Sequence, residues 1–368
     1  MLALLIITFI VPCTLLLYPL VSFIQFKLYS KQHTKSTTFL EPVSIIISCF
    51  NEEKYIREKI LSFLDENEWI TGSEIIVVSG GSTDKTNEIL EEFKSYDSIS
   101  IFLFEEQIGK IRSVNLAVEN TNHDLIVFSD CRQKMKKGSV KALIQNFSDP
   151  TVGTVVSQLD DSNSTTSGSF LRKIISKTMI YNSKTSSCLN VYGALYAQRK
   201  LLFRPFSEEL LFDDLSVITS TLIQNKRLVV EENAVIYDVP FDDYYKSERI
   251  QRLARGLLIY LKDDWKTIKR LSIKDFCRFI VYKYFKLLLP FSVLIWIFLG
   301  IYFYFSNQYQ TIILLLFSFA LALLFIEKSR KLLILFLRIN THFFFALIRF
   351  YLFKQQSNKW EKLSTKKG

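Results

Sequence analysis

Residues 124–133 read Asp-Leu-Ile-Val-Phe-Ser-Asp-Cys-Arg-Gln, a short apolar run that ends in an acid, Asp130. Four consecutive large apolar residues between polar flanks are the pattern of a strand buried on both faces of a parallel sheet. The carboxyl ends of such strands are where α/β folds bind ligands and metal-nucleotides, so Asp130 is the first candidate site residue.

Working outward, strands and helices alternate. Residues 43–50 form a β-branched run followed by Asn51-Glu52-Glu53 and a helical pattern to Leu64. Residues 75–78 predict a second strand closed by Gly80-Gly81, with a helix over 82–93. A third strand over 101–104, a helix over 110–119 and the strand over 125–128 complete the series. Units of this size predict an α/β fold, a mainly parallel central sheet covered on both faces. The domain spans residues 41–243, long enough for its own core, with a Ser/Thr/Gly-rich loop over 162–169.

Of the 368 residues, 49% are hydrophobic, and the two ends carry most of them. Residues 1–26 hold no charge and predict a transmembrane helix, kinked at Pro12 and Pro19. They lack the basic start and small-residue cleavage site of a removable leader. Residues 286–327 predict a membrane hairpin, with apolar runs over 287–305 and 311–326 joined by an uncharged link. Lysines cluster at the flanks, as Lys27, Lys31 and Lys35, then Lys283 and Lys286, then Lys328 and Lys331. The excess of positive charge on the cytoplasmic side then makes this a multi-pass inner-membrane chain with a cytoplasmic domain, residues 244–285 being interfacial helices. In residues 328–368, Lys331, Arg338, His342 and Arg349 share one helical stripe. An amphipathic interfacial helix keeps the basic tail cytoplasmic, and a further span lined by the stripe is the alternative.

The net charge of +10 belongs largely to lysines beside these segments, where anionic membrane lipids are the partner and no nucleic-acid module is present. Five scattered cysteines form no paired or metal-ligand spacing, as in a reducing compartment. Three histidines leave little material for a histidine metal site or a Ser-His-Asp triad. The spans contain no intramembrane acids or repeats from which to build a transport pathway.

Just beyond the predicted strands lie Asn51, Glu52, Ser82, Asp84, Asp130 and Arg132. Each alone suits a helix start, where Ser82, Thr83 and Asp84 would cap or favour the amino terminus. Together they place acids and amides at successive stations around one crevice, which is the arrangement of a ligand site.

Taken in order, Ile-Ile-Ile-Ser-Cys-Phe-Asn-Glu-Glu (45–53), Val-Val-Ser-Gly-Gly-Ser-Thr-Asp-Lys-Thr (77–86), Gly109-Lys110 with Asn115, and Phe128-Ser129-Asp130 resemble the motifs of family 2 inverting glycosyltransferases. So do Gly193-Ala194, Phe212-Asp213-Asp214-Leu215 and Arg252-Leu253-Ala254-Arg255-Gly256. The similarity is greatest to the branch of cellulose, chitin and hyaluronan synthases. It implies an A-type glycosyltransferase fold in which Asn51, Glu52 and Asp84 line the nucleoside site. Lys110 lies near the nucleotide or its phosphates, or is an ordinary surface lysine at a helix start. Asp130 would be the first acid of the Asp-x-Asp motif, holding Mg2+ or Mn2+ with the donor's diphosphate. Asp214 would be the base that takes the acceptor's proton, with Asp213 orienting it, or the two acids open a helix. Arg252 and Arg255 would clamp the leaving diphosphate, while Arg249 suits a lipid-facing position.

Five positions depart from the pattern. Ser48 stands where proline is frequent, Gly80 replaces an aspartate, Arg132 the second acid, Arg252 a glutamine and Gly256 a tryptophan. Arg132 can pair with a diphosphate, and Asp130-Cys131-Arg132-Gln133 resembles the Asp-Ala-Arg-Gln of some relatives. The resemblance therefore implies an inverting transferase that moves a sugar from a nucleotide-diphosphate donor, UDP first among them, to a membrane-associated glycan or lipid-linked acceptor. A processive polysaccharide synthase is the alternative, and an inactive membrane scaffold of the same fold is the second.

Overall fold

The computed structural model describes residues 2–30, 35–160, 167–207, 214–237, 243–306 and 327–353. Three strands, β1 (Val43–Cys49), β2 (Glu74–Gly80) and β3 (Ile99–Phe104), are followed by β4 (Leu125–Ser129) and the two-residue β5 (Lys134–Met135). Later come β6 (Val152–Asp160), β7 (Leu195–Arg199) and β8 (Arg227–Tyr237). All eight join one sheet in the order β3-β2-β1-β4-β7-β6-β8-β5. Every residue of β1 and of β4 is buried, which is why both read as unbroken apolar runs.

The pairings β1–β2, β1–β4, β2–β3 and β6–β8 are parallel, so the sheet is mainly parallel, as the alternation predicts. β7 runs antiparallel between β4 and β6. Because β2 and β4 flank β1 on opposite sides, the strand order reverses there, and a crevice opens beyond the carboxyl ends of β1 and β4.

Helices α2 (Ile56–Leu64), α3 (Thr86–Glu91), α4 (Lys110–Glu119) and α5 (Ser139–Ile144) cover the first half. The α4 bounds coincide with the predicted helix, whereas α3 starts four residues after Ser82. The delay has its cause in the contact of this turn with the β1 loop. Gly81 sits at φ +83°, and the amide oxygen of Asn51 accepts from the Thr83 N–H at 2.7 Å and the Asp84 N–H at 3.3 Å. Those N–H groups are thereby satisfied outside a helix. A Cβ on Gly81 would lie 2.5 Å from the Glu106 carbonyl group. Gly81→Ala is expected to cost on the order of 3 kcal/mol, combining left-handed strain with a backbone clash. A melting temperature equal to wild type would contradict this.

The second half brings α6 (Ser167–Thr185), α7 (Asp214–Ile223), α8 (Asp243–Asp263), α9 (Trp265–Ile268), α10 (Ile273–Phe305) and α11 (Glu327–Phe353), with α1 (Leu2–Tyr29) from the amino terminus. One core runs without a break from Ile46 and Ile76 of the sheet through Leu215 and Tyr260 to Phe279, Tyr284 and Phe343. Fully buried Phe279 contributes about 2–3 kcal/mol by the usual burial of such a side chain. α10 therefore rises directly out of the α/β core. Tyr18 of α1 packs on Tyr282 of α10 with ring centroids 5.1 Å apart, and Phe26 stacks on Tyr181 of α6 at 4.9 Å.

Among the described residues, three helices are long and apolar enough to cross a membrane by length and composition: Ile10–Tyr29, Ile273–Phe305 and Leu333–Tyr351. The polar stripe of α11 turns towards α8, where Gln251 accepts from Arg349 at 2.9 Å and meets His342 Nδ1 at 3.3 Å. The run over 311–326, the link over 307–310 and the tail over 354–368 lie outside the described residues.

Candidate active site

Two tight turns bring the strand-end residues together. Asn51 adopts φ +54°, one of two non-glycine residues in the left-handed region among the described residues, and its N–H donates to Ser82 Oγ at 3.0 Å. The next residue, Glu52, is buried; its N–H donates to Thr86 Oγ1 at 2.8 Å. Asp84 accepts from the Thr86 N–H at 3.0 Å and from the Glu53 N–H at 3.3 Å. Asn51 and Asp84 thus lock the β1 and β2 loops to each other, and both local turn-building and a shared ligand rim are served by one geometry.

Gly109, at φ +78°, turns the chain into α4 and sets Lys110 as its first residue. From there the Lys110 ammonium donates to Asp130 Oδ1 at 2.8 Å. About a third of each side chain is exposed, so the pair borders the crevice and is accessible from it. Directly behind it, buried Lys59 of α2 donates to the Gln133 carbonyl, and burial pushes its ammonium below the ordinary lysine range despite nearby Cys131 and Asp130. Nothing in a helical pattern marks a lysine as inward-facing, so Lys59 is absent from the residues that the sequence singles out.

Arg132, in the place of a second acid, donates through Nε to both carboxylate oxygens of Glu52 at 2.9 and 3.0 Å. Its side chain is 19% exposed and that of Glu52 9%, so the pair is largely withdrawn from water. A divalent ion consequently finds one protein carboxylate here, Asp130, and no group of three possible ligands exists among the described residues. That donor set fits Mg2+ or Mn2+ when the remaining ligands are phosphate oxygens and water, the usual preference of these ions. Restoring two acids by Arg132→Asp is expected to fail. The new carboxylate would face Glu52, lowering stability by about 2–4 kcal/mol without raising Mn2+ affinity. Melting curves and Mn2+ titration would check both halves.

The other departure also has a packing reason. A Cβ on Gly80 would meet Ser113 Oγ at 3.1 Å and Ile108 Cγ1 at 3.2 Å, so the space a longer side chain would use is already filled. Asn115 does not reach the crevice; it exchanges hydrogen bonds with the backbone of Phe206 at 2.8 and 2.9 Å, tethering the segment that leads towards Asp213 and Asp214. The five cysteines are free thiols. Buried Cys131 is held well above its ordinary range by its hydrogen bond with Cys49 and by burial.

Asp214 opens α7, as the helix-start reading also expects, and Asp213 lies outside the described residues. The cation nearest to Asp214 among the described residues is Lys283 of α10, with Nζ 3.8 Å from Oδ2, beyond ordinary hydrogen-bond length. Lys283, read from sequence only as a membrane flank, is buried and donates to Asn190 Oδ1 at 3.2 Å. Arg252 and Arg255 lie half-buried on α8. That helix packs on α7 through a Tyr260–Thr219 hydroxyl hydrogen bond. For Arg249 only the helical backbone is described.

A mainly parallel sheet with a polar crevice at its switch point, and acids from both halves of the chain, defines the nucleotide-diphosphosugar transferase fold of A type. Residues 44–207 match the model of glycosyl transferase family 2. The poly-beta-1,6-N-acetyl-D-glucosamine synthase of Staphylococcus aureus (strain COL) is 25% identical over 117 residues, 32% of this chain and 28% of that protein. The enzyme of the same name from Staphylococcus epidermidis is 22% identical over 247 residues, 62% of this chain and 58% of that protein. The matches thus span between a quarter and three fifths of those relatives. Among solved structures, the mannosyltransferase PcManGT from Pyrobaculum calidifontis, in complex with GDP-Man and Mn2+, superposes with a TM-score of 0.75 at 17% identity. That alignment covers 96% of this chain and 99% of the other, and establishes the fold.

Proposed function

We propose that the chain is an inverting glycosyltransferase that moves a sugar from a nucleotide-diphosphate donor, UDP first among them, to a membrane-associated glycan or lipid-linked acceptor. The observations that carry the reading are the polar strand-end residues of the parallel half, with Lys110 donating to Asp130, and a carboxylate of the second half, Asp214, held 3.8 Å from Lys283 of a helix long and apolar enough to cross a membrane. Asn51, Glu52 and Asp84 form the nucleoside rim. Lys110 and Arg132 face the diphosphate, with Arg252 and Arg255 closing from α8.

In the transfer, the acceptor oxygen bonds to the anomeric carbon from the face opposite the donor phosphate, and the carbon–phosphate-oxygen bond breaks. The nucleoside diphosphate leaves with that electron pair, and Asp214 takes the acceptor's proton. In this reading Lys110 stabilises the negative charge that develops on the diphosphate, and Arg132 does so when it exchanges its Glu52 partner for phosphate oxygens. Asp130 is the residue that would hold a divalent ion, whose chemistry there is neutralisation of the same charge. The chain lies in a membrane through its apolar helices, with the domain on the cytoplasmic side where nucleotide sugars are made available.

A polymerising enzyme is the second reading, favoured by the names of the two staphylococcal relatives. A donor screen on membranes, with and without Mg2+ or Mn2+, followed by product sizing, tests both. Single or short additions support the first reading and long polymer the second. No consumption of any donor would remove both and leave a membrane scaffold.

A further inference from the structure

Two cations that the proposed transfer aims at the diphosphate each hold a protein carboxylate in the structure: Arg132 donates to Glu52, and Lys110 to Asp130 Oδ1 at 2.8 Å. The two pairs differ in burial. Side chains of Glu52 and Arg132 are 9% and 19% exposed, whereas those of Asp130 and Lys110 are 34% and 32% exposed. Water therefore screens the second pair, which opens at little cost. Its partners also differ in freedom. Asp130 continues β4, with its N–H donating to the Ala194 carbonyl at 3.2 Å. Lys110 reaches it from the first turn of α4 on a flexible four-carbon stem. The carboxylate is thus the fixed partner and the ammonium the one that moves.

Asp130 is also the residue proposed to hold a divalent ion. Such an ion bonds a carboxylate oxygen at about 2.1 Å, and Lys110 already donates to one of the two oxygens. A double and a single positive charge on one carboxylate repel each other strongly at that range. Lys59, behind Asp130, spends its ammonium on the Gln133 carbonyl. We propose that Lys110 is a displaceable stand-in for the divalent ion at Asp130, exchanging the carboxylate for the donor's diphosphate when ion and nucleotide enter together. Lys110 loses its partner to an ion that enters alone, and gains a new one when a diphosphate comes with it. It thereby makes the binding of ion and nucleotide mutually reinforcing, with the same coupling whichever binds first. This rests on the transferase reading above and adds how its donor site is loaded.

The test uses the purified full chain. Mn2+ binding without nucleotide is followed by the electron paramagnetic resonance of free Mn2+. Affinity for UDP, or for GDP where UDP does not bind, is then measured with and without saturating Mn2+. Lys110→Gln is expected to bind Mn2+ about tenfold more tightly than wild type in the absence of nucleotide, the effect of removing one competing charge. The factor by which Mn2+ raises nucleotide affinity is expected to fall about tenfold in the same variant. Mn2+ held by free nucleotide is common to both proteins and cancels in the comparison. Lys110→Arg, which keeps a cation within reach of Asp130, is expected to stay near wild type in both readouts. A lysine that serves only as a surface residue of α4 would move neither. Equal Mn2+ affinity of wild type and Lys110→Gln without nucleotide, or an equal coupling factor, would overturn the proposal and leave the donor site standing. Wild type whose nucleotide affinity ignores Mn2+ would remove the metal site at Asp130 and this exchange with it. Wild type that binds neither UDP nor GDP sinks the transferase reading.

Discussion

Asp214→Asn is expected to lower the rate of sugar transfer by a factor on the order of 10² to 10⁴, the contribution of a positioned general base. That factor corresponds to about 3–5 kcal/mol of transition-state stabilisation. The substitution keeps shape and removes only the ability to accept a proton. Asp214 is suited to that role because Lys283, its nearest cation, stays 3.8 Å away and does not occupy the carboxylate as a direct hydrogen-bond donor would. Donor affinity is expected to stay near wild type, since in the proposed transfer Asp214 meets the acceptor's hydroxyl rather than the nucleoside or the diphosphate. Single-turnover kinetics with a saturating donor would separate the two. Transfer at the wild-type rate would move the base elsewhere, Asp213 being the first alternative.

Asp130→Ala is expected to act at the opposite step. Loss of the carboxylate removes the proposed ligand of a divalent ion, together with the group to which Lys110 donates. Donor kcat/KM should fall on the order of 100-fold or more, as expected when a charged contact worth about 3 kcal/mol is deleted. Stability should move by less than about 1 kcal/mol, because a pair that is about a third exposed is screened by water. Mn2+ titration of the protein with UDP, alongside a melting curve, distinguishes this from misfolding. Unchanged Mn2+ and donor binding would remove Asp130 from the metal site.

Much of the first half of the fold is legible in the amino-acid pattern. β1, β2 and β4 are buried on both faces and so leave an unmistakable apolar signature, and the residues that follow them turn polar or small because the strand has emerged. The helix after β2 is shorter than its local pattern predicts, because the capping done by Asn51 comes from a different loop and is invisible in that pattern. Lys59 escapes for a similar reason, its burial depending on where the Gln133 carbonyl falls.

The amino-acid sequence by itself determined the strand-helix order, the acids at the strand ends and the apolar helices, since each of these follows from local composition and period. Only the tertiary structure decided the pairing of charges. Arg132 is 80 residues from Glu52, and nothing near either one says that the two neutralise each other. Likewise Lys283 carries the composition of a membrane flank whether it faces lipid or an acid, and only the docking of α10 on α7 turns it towards Asp214. Ion-pair partners are set by where distant chain segments meet in space, and the strength of each pair by how much water that meeting excludes.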